Sequence, residues 1–134
     1  MRSWLFWQMW YILVMIIIVG KTIKGKGIGK KLGFPTLNIP CTGDLSGVFV
    51  GRVFVNDNWY FAAINIGGRP TVDDENFCEA FLLDFKGRVA NGTEVAMTLG
   101  KKIRHVEKFK NLTELKKQIA KDVEFVKNWY NPVE

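Results

Sequence analysis

From Gly47 to Leu99 the chain sets short apolar stretches between turn residues, at intervals too short for helices. Residues 47–55 read GVFVGRVFV, whose alternation predicts a strand, and residues 56–58 (Asn-Asp-Asn) predict a turn. Residues 59–66 (WYFAAINI) then return as the second arm of a hairpin. Gly67-Gly68-Arg69-Pro70 breaks the run, residues 77–85 (FCEAFLLDF) resume it, Lys86-Gly87-Arg88 opens another turn, and residues 93–99 close the series. A helical period appears in the tail, where Leu112, Leu115, Ile119, Val123 and Val126 recur on one face. Asn111 followed by Glu114 predicts an N-cap with a capping box, and Pro132 stands just past the expected end. About six short strands followed by one amphipathic helix predict a mostly β fold: an antiparallel barrel closed or plugged by the helix.

A chain of 134 residues fits one domain, and 48% hydrophobic with 24% charged residues supports a packed core and excludes a disordered tail. The net charge of +6 favours anionic partners: a phosphorylated ligand, nucleic acid or a membrane surface. The excess falls in two groups. Lys21, Lys24, Lys26, Lys30 and Lys31 stand among glycines, while Lys101, Lys102, Arg104 and Lys108 precede the helix. Such groups are also what a solvated face contains. Cys41 and Cys78 lack CxxC spacing and His105 is the single histidine, which argues against a zinc site. Two thiols without a dense framework suit a reducing, cytoplasmic setting.

Residues 4–19 are apolar apart from Gln8. The run is shorter than the roughly 20 residues a membrane helix needs, and it has no small-residue cleavage site like that of a signal peptide. Its second half, residues 12–19, is rich in β-branched side chains and reads as a buried first strand. Residues 1–14 are expected to be an apolar extension, with membrane contact of residues 4–14 as the lesser reading, and residues 15–134 the domain.

Three elements carry possible chemistry. The first is the basic loop Gly25-Lys26-Gly27-Ile28-Gly29-Lys30-Lys31-Leu32-Gly33. Glycines let backbone N–H groups turn toward an oxyanion, and the lysines add charge where phosphates would sit. The loop lacks the spacing of a Walker motif and the surroundings of a Rossmann fingerprint, and by itself reads equally well as a hairpin tip. The second is Pro35-Thr36-Leu37-Asn38: Thr36 and Asn38, two residues apart, share one side of an extended strand and offer oxygen ligands of the kind Mg²⁺ prefers. A turn containing a satisfied Thr and Asn would read the same. The third is Glu79, a carboxylate inside an apolar strand, where burial would push it toward the range of a general base. A glutamate with its head in water is the plainer alternative, and Asp84 shares both readings.

Taken together, GKGIGKKLGFPTLN, GVFVGRV, AAINIGGRPTV, CEAFLLDF and IRHVEKFKNLTELKKQIAKD occur in an order that resembles the ATP-dependent riboflavin kinases of bacteria and eukaryotes. They also resemble the kinase half of bifunctional bacterial FAD synthetases, and no adenylyltransferase module is expected beside them. The resemblance implies a six-stranded antiparallel Greek-key barrel with a C-terminal helix, and transfer of the γ-phosphate of ATP to the 5′-hydroxyl of riboflavin, giving FMN and ADP. It assigns nucleotide binding to Gly25, Lys26, Gly27, Gly29, Lys30, Gly33, Pro35, Thr36 and Asn38, with Thr36 and Asn38 also at Mg²⁺. Glu79 becomes the catalytic base and Arg104 a flavin contact in a loop that closes over the ring. Two positions depart from the pattern: Val106 stands where the family tail often has glutamate, and Arg88-Val89-Ala90-Asn91-Gly92 replaces the usual loop after the Asp84-Phe85 strand. The archaeal CTP-dependent kinases have another fold and motif, so ATP is the expected donor. A basic β-barrel that binds nucleic acid is the rival reading; its lysines would be expected to interleave with aromatics, whereas here they cluster on glycines.

Overall fold

The computed structural model describes residues 16–24, 33–41, 43–67 and 76–130. Within them the elements run β1 (Ile16–Lys21), β2 (Thr36–Cys41), β3 (Gly47–Val55), β4 (Asn58–Ile66), β5 (Asn76–Leu82), β6 (Glu94–Arg104) and α1 (Leu112–Tyr130). The strands form one antiparallel sheet in the order β1-β6-β3-β4-β5-β2. Its two edges approach each other. The Ile23 amide donates to the Asn38 carbonyl at 2.9 Å just beyond β1, and the bare Gly20 faces Ile39 of β2, so the barrel is nearly closed. Residues far apart in sequence thus become neighbours, as Greek-key connections require.

The β3–β4 hairpin turns on Asn56 and Asp57 alone, at φ 50° and 64°. Two positive φ values in a two-residue loop are the geometry that matches strand twist, and Asn and Asp tolerate it. Asn58, expected in the turn, opens β4 instead. β6 runs to Arg104, five residues past its expected end at Leu99, because pairing with the start of β3 carries it on through Lys101 and Lys102. Gly47 makes that overlap possible: a Cβ there, at φ 139°, would stand 2.5 Å from the Lys102 side chain and 3.2 Å from the Arg104 carbonyl. β5 stops at Leu82, and Asp84 just beyond it takes a positive φ of 55°.

The expectation of a buried first strand over residues 12–19 is corrected. Residues 12–15 lie outside the described residues, and β1 from Ile16 onward is half-covered. Ile18 packs on the core, while Ile17 and Val19 are 63% and 60% exposed on the outer wall.

Two apolar layers follow from the period of two along each strand. Inside the barrel, Leu37, Ile39, Val53, Ile64, Cys78 and Met97 meet from five strands. On the outer face Val50, Ala63 and Phe81 receive Ile119 and Val126 of α1, and Tyr130 stacks on Phe61 at 4.1 Å. The Asn111 Oδ1 caps the helix by accepting the Glu114 amide at 2.9 Å. Glu114 itself lies 3.7 Å from Lys117, so its side chain does not complete the expected box, and Leu112 at the first helical position is exposed. Among the described residues no helix is long and apolar enough to cross a membrane.

Candidate active site

Register brings the candidate residues together. Asn38 of β2 lies opposite Glu79 of β5, and Glu79 lies opposite Asn65 of β4. Asn65 pairs with Val48 of β3, and Val48 with Arg104 of β6. Directly opposed residues point to the same face, so Asn38, Glu79, Asn65, Val48 and Arg104 form one row across the outer wall of the barrel. The next row carries Thr36 opposite Phe81, which puts the Thr36 and Asn38 side chains on the same face beside Glu79. The sequence placed these two on one side of a strand; the fold adds the strand that sets a carboxylate beside them.

A pocket of about 390 Å³ opens above this row. Its floor is the sheet at Asn65, Glu79 and Arg104, the link from β6 to α1 supplies Val106 and Phe109, and α1 supplies Leu115. The size and mixed lining are those of a small-molecule site. Glu79 stands where the pocket meets the β2 edge, so a group bound in the pocket and a group bound along Thr36 and Asn38 would both reach its carboxylate.

Arg104 is fixed within the pocket wall. Its Nε and Nη2 donate to the two Asp122 carboxylate oxygens at 2.9 and 2.8 Å, and Nη1 donates to the His105 carbonyl at 3.1 Å. The Gln118 amide donates to Asp122 at 3.0 Å, and the guanidinium lies 5.7 Å from the Phe109 ring centre. Three of its five N–H bonds are thereby engaged among the described residues. This bidentate pair ties the end of β6 to the helix and holds the roof between them.

Of the glycine loop, Gly25, Lys26, Gly27, Gly29 and Lys30 lie outside the described residues. Gly33 has φ 87°, a value that favours glycine, and the Pro35 carbonyl accepts the Leu82 amide at 2.9 Å, fastening the entry of β2 to the end of β5. Asp84 is exposed, past the strand and away from the pocket lining. Cys78 points into the barrel interior, where burial first, and the Cys41 thiol beside it second, push its own thiol well above the usual range. It remains a neutral core group.

Sequence reasoning missed Asn65 and Asp122. Each left a signal: Asn65 falls on the outward phase of an otherwise apolar strand, and Asp122 falls within the buried helical stripe, three residues from Ile119 and four from Val126. A polar residue in an apolar phase needs a partner.

A family model described as Flavokinase: Riboflavin kinase matches residues 14–130. The chain belongs to the riboflavin kinase family. Among curated relatives, it is 40% identical over 116 residues to the RNA-binding riboflavin kinase RibR of Bacillus subtilis, covering 84% of this chain and 50% of that protein. It is 34% identical over 119 residues to the bifunctional riboflavin kinase/FMN adenylyltransferase of Haemophilus influenzae, covering 85% of this chain and 38% of that one. The chain thus spans half or less of the length of these relatives. A solved riboflavin kinase from Trypanosoma brucei superposes with a TM-score of 0.61 at 24% identity, covering 88% of this chain and 81% of the other, and shares the barrel fold.

Proposed function

We propose that the protein is an ATP-dependent riboflavin kinase, forming FMN and ADP from riboflavin and ATP, with residues 15–134 as the kinase domain. One observation carries the reading: Glu79 stands at the junction of a roofed, largely apolar pocket and the strand bearing Thr36 and Asn38. The flavin ring occupies the pocket between sheet and roof, against the Arg104 guanidinium. The ribityl chain runs along the sheet and brings its 5′-hydroxyl to Glu79. The nucleotide lies on the β2 side, its phosphates in the glycine loop.

Phosphoryl transfer needs positioning and charge stabilisation more than covalent chemistry. The Glu79 carboxylate accepts the 5′-hydroxyl proton as the new O–P bond forms and the bond to the ADP oxygen breaks. The residues present fit a magnesium ion. Thr36 and Asn38 provide neutral oxygens on one face of β2, beside the Glu79 carboxylate of β5. Mg²⁺ is commonly held by few protein oxygens together with nucleotide phosphates and water. A magnesium ion bound there supplies charge neutralisation at the phosphate oxygens. A cytoplasmic setting agrees with ATP as donor and with Cys41 and Cys78 as free thiols.

The test is incubation of purified protein with riboflavin, ATP and Mg²⁺, with chromatographic separation of flavins. FMN should appear in proportion to ADP. A folded sample that makes no FMN would overturn the proposal, and FMN formed with CTP in preference to ATP would overturn the donor.

A further inference from the structure

Among the described residues, Asn65 carries a buried polar atom that neither the fold nor the proposed chemistry uses. Its Oδ1 is shut off from solvent, and no hydrogen-bond donor meets it among the described residues. An amide oxygen left in that state costs free energy. The residue lines the pocket, and it lies directly opposite Glu79 across the β4–β5 ladder. Side chains so paired have Cβ atoms about 5 Å apart. Turning the amide about χ2, a soft torsion, would bring the oxygen to the pocket. The fold positions the group without satisfying it, and what it lacks is a donor.

Resting on the kinase reading above, we propose that Asn65 is a specificity-determining residue whose Oδ1 accepts a hydrogen bond from a secondary hydroxyl of the ribityl chain. Glu79 faces the terminal hydroxyl. One strand farther into the pocket, and about 5 Å along the sheet, is the region of the preceding chain carbons, each of which bears an O–H. Beside Asn65 the pocket lining is apolar on two sides, with Val48 next to it on β3 and Phe81 in the neighbouring row, while Glu79 stands directly opposite. A chain of bare methylenes would fill this space and leave the Asn65 oxygen unpaired. A polyol satisfies it. A site built to bond a substrate hydroxyl rejects an analogue lacking it more strongly than an apolar pocket rejects an added group. Asn65 therefore selects a ribityl chain over a plain alkyl chain, and acts by positioning and selection, apart from the proton transfer at Glu79.

The experiment compares riboflavin with a flavin carrying a 5-hydroxypentyl chain at N10, which keeps the terminal acceptor hydroxyl and lacks the three secondary ones. Binding is read by quenching of flavin fluorescence, and turnover with MgATP is read separately. The wild-type protein should bind riboflavin the more tightly. In Asn65→Leu, which keeps the volume and removes the acceptor, riboflavin binding and kcat/KM should fall about ten- to a hundredfold. Values for the hydroxypentyl flavin should stay within about twofold, so that the preference collapses. Asn65→Ser, too short to reach, should behave alike and guards against a folding defect in the first variant. The Tm of Asn65→Leu should equal or exceed that of wild type, because the oxygen it removes is unpaired. Equal losses for both flavins would overturn the assignment, as would a retained preference, or a Tm several degrees lower that reveals a structural partner for the oxygen. Wild-type protein that binds riboflavin selectively through Asn65 yet makes no FMN would sink the kinase reading and leave this inference standing.

Discussion

Asp122→Ala puts the pocket's framework under direct test. The Asp122 side chain is 5% exposed and that of Arg104 17%, and the two share parallel contacts of 2.8 and 2.9 Å. Truncation leaves a guanidinium in a largely dry wall with the His105 carbonyl and the face of Phe109 as its remaining support. Breaking a buried ion pair by removing one partner typically destabilises by about 3–5 kcal/mol. The partial exposure of Arg104 lets water recover some of that, so about 3 kcal/mol is expected. For a domain of this size the corresponding fall in Tm is roughly 10 °C. Thermal unfolding followed by circular dichroism, supported by denaturant midpoints at unchanged m-value, would measure it. Replacing both partners, Arg104→Met with Asp122→Leu, should restore most of the loss, since apolar substitutes for a buried pair are often neutral or better. Riboflavin binding should nonetheless be weak in that double variant, because the pocket floor loses its cation. An Asp122→Ala loss below about 1 kcal/mol would refute the reasoning, because that is the size expected of an exposed pair such as Glu114–Lys117.

Three further outcomes follow from the site and the core. Glu79→Gln keeps shape but cannot take the proton, so kcat should fall about 10²- to 10⁴-fold with riboflavin affinity little changed, while Asp84→Asn, exposed beyond β5, should change little; equal small effects in steady-state assays would remove Glu79 as base. Thr36→Ala should lower kcat on the order of 10²-fold and raise the Mg²⁺ needed for half-maximal rate, and near wild-type values in a magnesium titration would contradict its placement. Gly51→Ala places a Cβ 2.5 Å from the Thr98 carbonyl and against Ile64 inside the barrel, so it should destabilise by about 1–3 kcal/mol in chemical denaturation without altering KM if the protein still folds.

Local rules in the sequence already determined much of this protein. The period of two from Gly47 to Leu99, the Asn-Asp turn and the 3.6-residue period of the tail depend on neighbours a few positions apart, and they specify strands, hairpin and helix. The order of five motifs pointed to the family, and with it to Glu79, Thr36 and Asn38. Boundaries were less legible where a partner strand decided them: β6 continues through two lysines because the start of β3 is there to bond it. The cover on β1 was not legible either, since a run of isoleucines has the same composition whether one face or both are packed. The site itself was decided by tertiary structure. Asn38, Glu79, Asn65 and Arg104 are separated by as many as 66 positions, and the register of five strands aligns them in one row. Asp122 acquires its meaning from α1 lying across the end of β6, where a carboxylate in an apolar helical stripe meets a guanidinium. Pairing across a barrel depends on which strands become neighbours, and that is settled by burial summed over the whole chain.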